Sequence, residues 1–319
     1  MKNWLLLPNV CGIWLMQTNE NLTPKRSLAH NGKSFHWAGR FLDAEIGQDA
    51  THLYSFCRIL DDMADGDISN GPTRLRAIRF GLINRSTTED LLLPELTDFI
   101  VKKKISVEIM TTLIDGLLQD QGIVAIKDEA ALLQYCYRVA GTVGLMMSQI
   151  IGYAEQEALL HAIDLGIAMQ LTNIARDVLE DATMDRRYLP ETWVGDMPSD
   201  QIVSLSDNGA CKERDNVNRA VKRLLDLSET YYDSGLKGLV YLRPRDHLAI
   251  AVAAKVYRQI GVQISDKGYK WYNGREATTK WSKLVCTIKS TQSLPGRLMR
   301  KPDHQKSLHT ALIGLPYVG

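Results

Sequence analysis

The chain has little cysteine, and what it has is scattered. Cys11, Cys57, Cys136, Cys211 and Cys286 show no CxxC spacing, and five cysteines leave one without a partner. A disulfide framework and a cysteine-based zinc site are therefore not expected, and a reducing, cytoplasmic compartment fits better. The histidines form no HExxH or comparable ligand pair. No GxGxxG follows a strand pattern, so no α/β unit for a nicotinamide cofactor is expected. Net charge is nearly absent at +1, which removes any global attraction to nucleic acid. Long apolar runs are missing too. The longest uncharged internal run, residues 139–154, has 16 residues, short of the ~20 needed to span a bilayer. The opening MKNWLLLPNVCGIWLMQ has the outline of a weak signal peptide. Pro8 and Gly12 interrupt it and no small-x-small site follows, so it reads as a structural N-terminal segment.

Alternating strand patterns are also missing, and no Asn-Gly pair stands between two of them. Helical periodicity is present instead. Around 43–64, 105–120, 129–153, 157–183, 213–235 and 244–272, apolar residues recur at spacings of three and four. Turn-rich punctuation falls at 66–72, 190–200 and 207–209. None of these stretches has the length of an interdomain linker, and no repeat of solenoid length is visible. With 45% hydrophobic residues in 319, the expectation is a single all-α domain over 1–319, a large helical bundle.

The near-neutral total hides an asymmetry. From Lys267 to Lys306 there are ten basic and two acidic residues, against 28 basic and 35 acidic in the remainder. A basic C-terminal tail on an acidic body has two readings: a solvated surface, or a patch for peripheral attachment to an anionic membrane.

Two segments carry chemistry. LYSFCRILDDMAD (53–65) and IAMQLTNIARDVLED (167–181) each embed spaced aspartates in apolar surroundings. On a helix, residues four apart share a face, so Asp61 projects with Asp65 and Asp177 with Asp181. Tyr54 and Arg58 precede the first pair. Gln170, Asn173 and Arg176 accompany the second, in an Asn-x-x-x-Asp-x-x-x-Asp ladder. A lone DxxxD is usually exposed helix surface, but two such pairs with arginines among apolar neighbours point elsewhere. Paired buried carboxylates repel and acquire raised pKa values unless cations neutralise them. Mg²⁺ takes hard oxygen ligands and completes its shell with phosphate oxygens, and Mn²⁺ is the alternative ion. Arginine forks suit phosphate. The two segments facing each other across a bundle would make a seat for a diphosphate, from which an allylic cation could be generated away from water. The DDxxD at 61–65 is shared by several isoprenoid enzymes and does not choose among them.

KSFHWAGRFL (33–42), CRILDDMADG (57–66), YCYRVAGTVGLMMSQIIGY (135–153) and QLTNIARDVLEDATMDRRYLP (170–190) together resemble the squalene and phytoene synthases, most closely the bacterial phytoene synthases. AAKVYRQIG (253–261) and GREATTKWSKL (274–284) match more loosely, and the resemblance runs from about 33 to 283. It implies the all-α isoprenoid synthase fold and head-to-head condensation of two prenyl diphosphates through a cyclopropyl intermediate. It also implies metal and diphosphate positions at Asp61, Asp65, Asn173, Asp177 and Asp181. Arg58, Arg176 and Arg275 match diphosphate-binding arginines. Tyr54, Tyr135 and Tyr257 match active-site tyrosines, and Lys33 and Ser34 a phosphate-contacting segment. Gly32 stands where the family often has serine, which removes one hydroxyl contact.

The leading expectation is condensation of two geranylgeranyl diphosphates to phytoene with Mg²⁺, ending in proton loss and needing no nicotinamide. A C30 enzyme using farnesyl diphosphate is the alternative. Chain elongation would favour a second DDxxD, and Asp-Val-Leu-Glu-Asp at 177–181 counts against it. A non-catalytic lipid-binding or assembly protein would be expected to have broken aspartate motifs, and both are intact. Two smaller questions stay open. Ala140, Gly144, Ser148 and Gly152 form a stripe of small residues that either makes room for a prenyl chain or lets two helices approach. Tyr135 is either a proton shuttle and cation stabiliser or a satisfied core tyrosine. His161, His247, Met146 and Met147 are expected to pack rather than react.

Overall fold

The computed structural model describes residues 37–86, 88–207, 211–294 and 301–318. The apolar N-terminal segment, with Lys33 and Ser34, lies outside them. Helix α1 (Ala44–Asp65) stops at Gly66, whose φ of 83° is the left-handed end that glycine adopts without a Cβ clash. Helix α2 (Gly71–Asn84) carries Pro72 in its first turn, where an N–H would have no helical partner anyway. Next come α3 (Leu92–Lys102) and α4 (Val107–Gln119), the latter capped by Ser106, which accepts from Glu108 N at 3.2 Å. Helix α5 (Glu129–Cys136) is capped by Asp128 and runs through a π turn at Tyr137–Gly141 into α6 (Thr142–Ile151). The remaining helices are α7 (Glu157–Thr183), the short α8 (Glu191–Val194), α9 (Ser199–Asp207), α10 (Lys212–Lys237), α11 (Pro244–Asp266) and α12 (Lys280–Thr291).

The all-α expectation holds. Among the described residues the only sheet is a two-residue parallel bridge, β1 (Val124–Ala125) with β2 (Arg186–Arg187), Val124 opposite Arg186. Periodicity picked out the long helices but not α2, α3, α9 or α12. In α2 the Gly71-Pro72 pair read as a turn, whereas it starts a helix.

Helix α7 is the axis of the molecule. Helix α10 packs along it more extensively than any other helix pair, and α6, the π turn and α11 also lie against it. By length and composition α7 could cross a membrane, but 67% of its most apolar window is buried within the protein, as befits a central core helix. One apolar core draws on residues from Leu53 to Leu312.

The small-residue stripe serves close approach. A Cβ on Gly144 would lie 2.2 Å from Ala162 O, and one on Gly166 would lie 2.3 Å from Ala140 O. Each glycine thus admits the other helix's backbone. Ala140, Gly144 and Ser148 also border the internal cavity, so both readings of the stripe apply. Gly152 has a third role, ending α6 at φ 82°.

Past residues 295–300, which lie outside the described residues, the C-terminal part of the basic stretch is folded onto the body. Residues 301–318 include a 3₁₀ turn at Lys306–Leu312, with His304, His309 and Leu312 buried. Tyr231 Oη donates to Leu308 O and Tyr241 Oη to Pro302 O, both at 2.8 Å. The anchor is Asp164 on α7, fully buried, with the Nε2 atoms of His304 and His309 at 2.8 and 2.9 Å. Burial alone would raise the pKa of Asp164, but hydrogen bonds from His304, His309 and Ser234 hold it below the ordinary value. Among the described residues some of the stretch's positive charges are taken up locally: Lys283 is buried, Lys267 pairs with Glu276, and Lys301 pairs with Glu155.

Gly144→Ala should lower stability by about 1–3 kcal/mol, since overpacking a tight crossing forces backbone apart. Gly39→Ala is the control, because nothing lies within 4 Å of its added Cβ. Equal urea midpoints for the two variants would show that the α6–α7 crossing opens without cost.

Candidate active site

Helices α1, α5–α6, α7 and α11 enclose a cavity of about 850 Å³, in the upper part of the ~300–1,000 Å³ range of small-molecule sites. Its walls are apolar over most of their length, through residues such as Val139, Val143, Met147, Ile151, Leu165 and Ala253. Met147 and His161 line it as well as packing. The polar groups gather where three helices finish. Asp61 and Asp65 occupy the last turns of α1, Asp177 and Asp181 those of α7, and Asp120 caps the C-terminus of α4. Helix C-termini carry partial negative charge and favour cations. Here none of the three has a basic residue in its last turn, and all bring acids.

Asp61 illustrates the result. Its side chain is 44% exposed, yet that exposure is to the cavity, which it lines. Burial, with Asp65 adding repulsion and Arg58 only partly offsetting it, pushes its pKa to about 7. Arg58 Nη1 lies 3.1 Å from Asp61 Oδ2, and Arg58 also pairs with Asp62. Asp62 is buried and does not border the cavity, so only the outer aspartates of DDxxD face it. Asp65 is held by Arg186 at 2.6 Å.

The second set is arranged alike. Arg176 Nε donates to Asp177 Oδ1 at 2.7 Å, and Arg275 Nε approaches the same oxygen at 3.1 Å. Asp181 is pushed to about 8 by burial and by Asp177, against the pull of Arg186. Asn173 donates to Gln170 Oε1 at 3.3 Å, while its own Oδ1 is buried without a hydrogen-bond partner. Tyr54 and Tyr257 line the same space. Burial raises both phenols, Tyr54 to about 12. All the expected residues are thus brought together except Lys33 and Ser34, which lie outside the described residues.

Three residues given no role from sequence complete the polar end. Arg186 ion-pairs with Asp65 and also acts on Asp181, linking the two aspartate sets. Asp120 accepts hydrogen bonds from Tyr135 at 2.8 Å and Tyr188 at 2.7 Å. Arg186 and Tyr188 were inside a recognised motif but carried no spacing signal. Asp120 had one faint signal, an acid at a helix C-terminus where the dipole opposes it.

A divalent cation fits this donor set. Asp61 and Asp65 from one side, and Asn173, Asp177 and Asp181 from the other, are hard oxygen ligands. They include two carboxylates that carry excess repulsion and one orphaned carbonyl oxygen.

An acid- and arginine-lined end on a long apolar cavity suits an enzyme whose substrate has a phosphate head and an apolar tail. The comparisons narrow it: residues 28–284 match the family model for squalene/phytoene synthase. A phytoene synthase of Pseudescherichia vulneris is 31% identical over 288 residues, covering 86% of this chain and 91% of that one. A phytoene synthase of Thermus thermophilus is 33% identical over 280 residues, covering 87% and 94%. Among solved structures, a dehydrosqualene synthase in complex with ligand superposes with a TM-score of 0.73 at 23% identity, covering 86% and 95%. A squalene synthase from Alicyclobacillus acidocaldarius gives 0.63 at 21%, covering 76% and 91%. The chain belongs to the squalene/phytoene synthase family and is a prenyltransferase.

Replacing Asp61, Asp65, Asp177 or Asp181 singly by Asn should cut turnover at least ~100-fold, the scale expected when transition-state charge stabilisation is lost. Stability should be kept, or gained at Asp61 and Asp181. A carboxylate with a raised folded pKa binds protons more tightly in the native state, so its contribution to stability falls as pH climbs from about 4 toward 8. Chelated protein should therefore melt lower at pH 8.5 than at pH 6, and a divalent cation should raise the melting temperature more at the higher pH. An equal cation-induced shift at both pH values would remove these aspartates from the metal seat.

Proposed function

We propose that the protein joins two geranylgeranyl diphosphates head to head, through a cyclopropyl diphosphate, to phytoene, using Mg²⁺ and no nicotinamide. The observation that carries this is one cavity with acids and arginines at its end and a long apolar body behind. The phytoene synthases that match most of the chain at 31–33% identity support the C40 substrate.

Asp61, Asp65, Asn173, Asp177 and Asp181 would hold Mg²⁺, which stabilises diphosphate as it departs. Arg58, Arg176 and Arg275 already rest on carboxylates of this set. Their planar forks are placed to take phosphate oxygens when a cation occupies those carboxylates. The apolar wall formed by Val139, Val143, Met147 and Ile151 keeps water from the cation left behind. Tyr54, Tyr135 and Tyr257 line the same cavity, where aromatic rings can stabilise that charge.

Purified protein should be incubated with geranylgeranyl or farnesyl diphosphate, with and without Mg²⁺ and NADPH, and the extracted lipid analysed by mass spectrometry. A C40 hydrocarbon with a central double bond is expected, in equal yield with or without NADPH. A clear preference for farnesyl diphosphate would move the protein to the C30 enzymes, and a reduced product formed only with NADPH would overturn proton loss.

We further propose a cytoplasmic protein attached peripherally to anionic membrane. Trp281, Leu284 and Ile288 are 72%, 40% and 61% exposed on α12. They recur at spacings of three and four on one face, beside exposed Lys289, the pattern of an interfacial helix. Sedimentation with anionic vesicles should weaken with salt and in Trp281→Ser/Ile288→Ser. Equal sedimentation with neutral vesicles would show that charge plays no part.

A further inference from the structure

Asp120 belongs to neither aspartate set, yet it borders the polar end of the cavity together with Tyr135 and Tyr188. All three are buried, at 8%, 5% and 6% exposure. The carboxylate oxygens are used separately: Oδ2 accepts from Tyr135 Oη and Oδ1 from Tyr188 Oη. The two rings stack with centroids 4.7 Å apart and planes 25° apart, fixing both hydroxyls on one anion. A phenol has a single proton to donate but retains lone pairs that can accept one. Tyr135 is therefore wired to receive a proton as it hands its own to Asp120.

The proposed reaction ends with a carbocation that must lose a proton inside a largely apolar cavity. We propose that Tyr135 and Asp120 form the relay that takes this proton, an inference that rests on the reading of proton loss above. The C–H bond next to the cationic carbon breaks, and its electron pair becomes the central double bond. The proton passes to Tyr135 Oη while the phenolic proton crosses to Asp120 Oδ2. Cation and carboxylate become neutral alkene and neutral carboxylic acid, and Tyr135 ends as it began. Tyr188 is a positioning residue that holds the second oxygen.

The electrostatics agree with this role. Desolvation raises Asp120 to about 6, outweighing the tyrosine hydrogen bonds and Arg186, which pull it down. That is a carboxylate still ionised at neutral pH yet more basic than usual, as a general base should be. The groups that act on it are Tyr135 on α5, Tyr188 and Arg186 around β2, Asp61 and Asp65 on α1, and Asp181 on α7. Arg186 is itself tethered to Asp65, so Asp120 is not left to face the other acids alone.

The test follows the two half-reactions separately in the full chain, with geranylgeranyl diphosphate and Mg²⁺, by quantifying cyclopropyl diphosphate and hydrocarbon. Asp120→Asn should slow formation of the cyclopropyl diphosphate less than ~10-fold, while conversion to hydrocarbon falls at least ~100-fold, within the range of a lost general base. Cyclopropyl diphosphate or alcohols should accumulate, Asp120→Glu should restore part of the conversion, and the acid limb of the wild-type conversion near pH 6 should vanish in Asp120→Asn. Tyr135→Phe should show the same split, and it carries the test if Asp120→Asn does not fold. An unchanged product ratio in the folded variants would overturn the relay and leave the departed diphosphate as the base. Equal loss of both half-reactions would overturn it in favour of a structural role. A wild-type product formed only with NADPH would overturn the proton-loss reading and the relay with it, an outcome visible without any variant.

Discussion

Mutual repulsion among carboxylates that the fold forces into one low-dielectric place organises this protein. Asp61, Asp65, Asp120, Asp177 and Asp181 converge where α1, α4 and α7 present their negative ends, so helix dipoles and side chains add with the same sign. Left alone, such a cluster would be strongly unfavourable. It is tolerated because Arg58, Arg176, Arg186 and Arg275 are threaded through it, and because two of its members, Asp61 and Asp181, hold protons up to about pH 7 and 8. The residual negative charge suits a divalent cation. A divalent cation held here would relieve the repulsion and would leave the arginine forks free for phosphate oxygens.

The rest of the bundle sets that cluster at one end of a largely apolar space without filling it. Gly144 and Gly166 let α6 and α7 approach backbone to backbone, which closes one wall. The helix leading into α6 carries a π turn at Tyr137–Gly141, a local widening often found near functional sites. Tyr135 lies just before it. Behind α7, Asp164 ties down the C-terminal strap through His304 and His309. That buried charge is fully hydrogen-bonded, in contrast to the acids of the cavity, whose incomplete compensation suits binding rather than packing.

Much of the architecture was legible before any coordinates. The long helices follow from apolar spacing, and the two aspartate segments stand out because acids four apart on an apolar helix are costly without a purpose. Shorter helices were not legible: α3 and α9 span 11 and 9 residues, too few turns to separate a helical period from chance. The basic C-terminal stretch was legible only as charge. Its charge is real, but which lysines face water depends on partners far away in the chain, such as Glu155 for Lys301, and Lys283 is buried.

The amino-acid order alone determined the helical class, the family resemblance, and which aspartates and arginines share a helix face, because periodicity and i,i+4 neighbours are local properties of a helix. Only the tertiary structure decided that Asp62 turns away from the cavity while Asp61 and Asp65 face it, that Arg186 links the two aspartate sets, and that Asp120 binds Tyr135 and Tyr188. Those relations join residues 15 to 121 positions apart. They arise from how helices cross, which spacing along one chain does not encode.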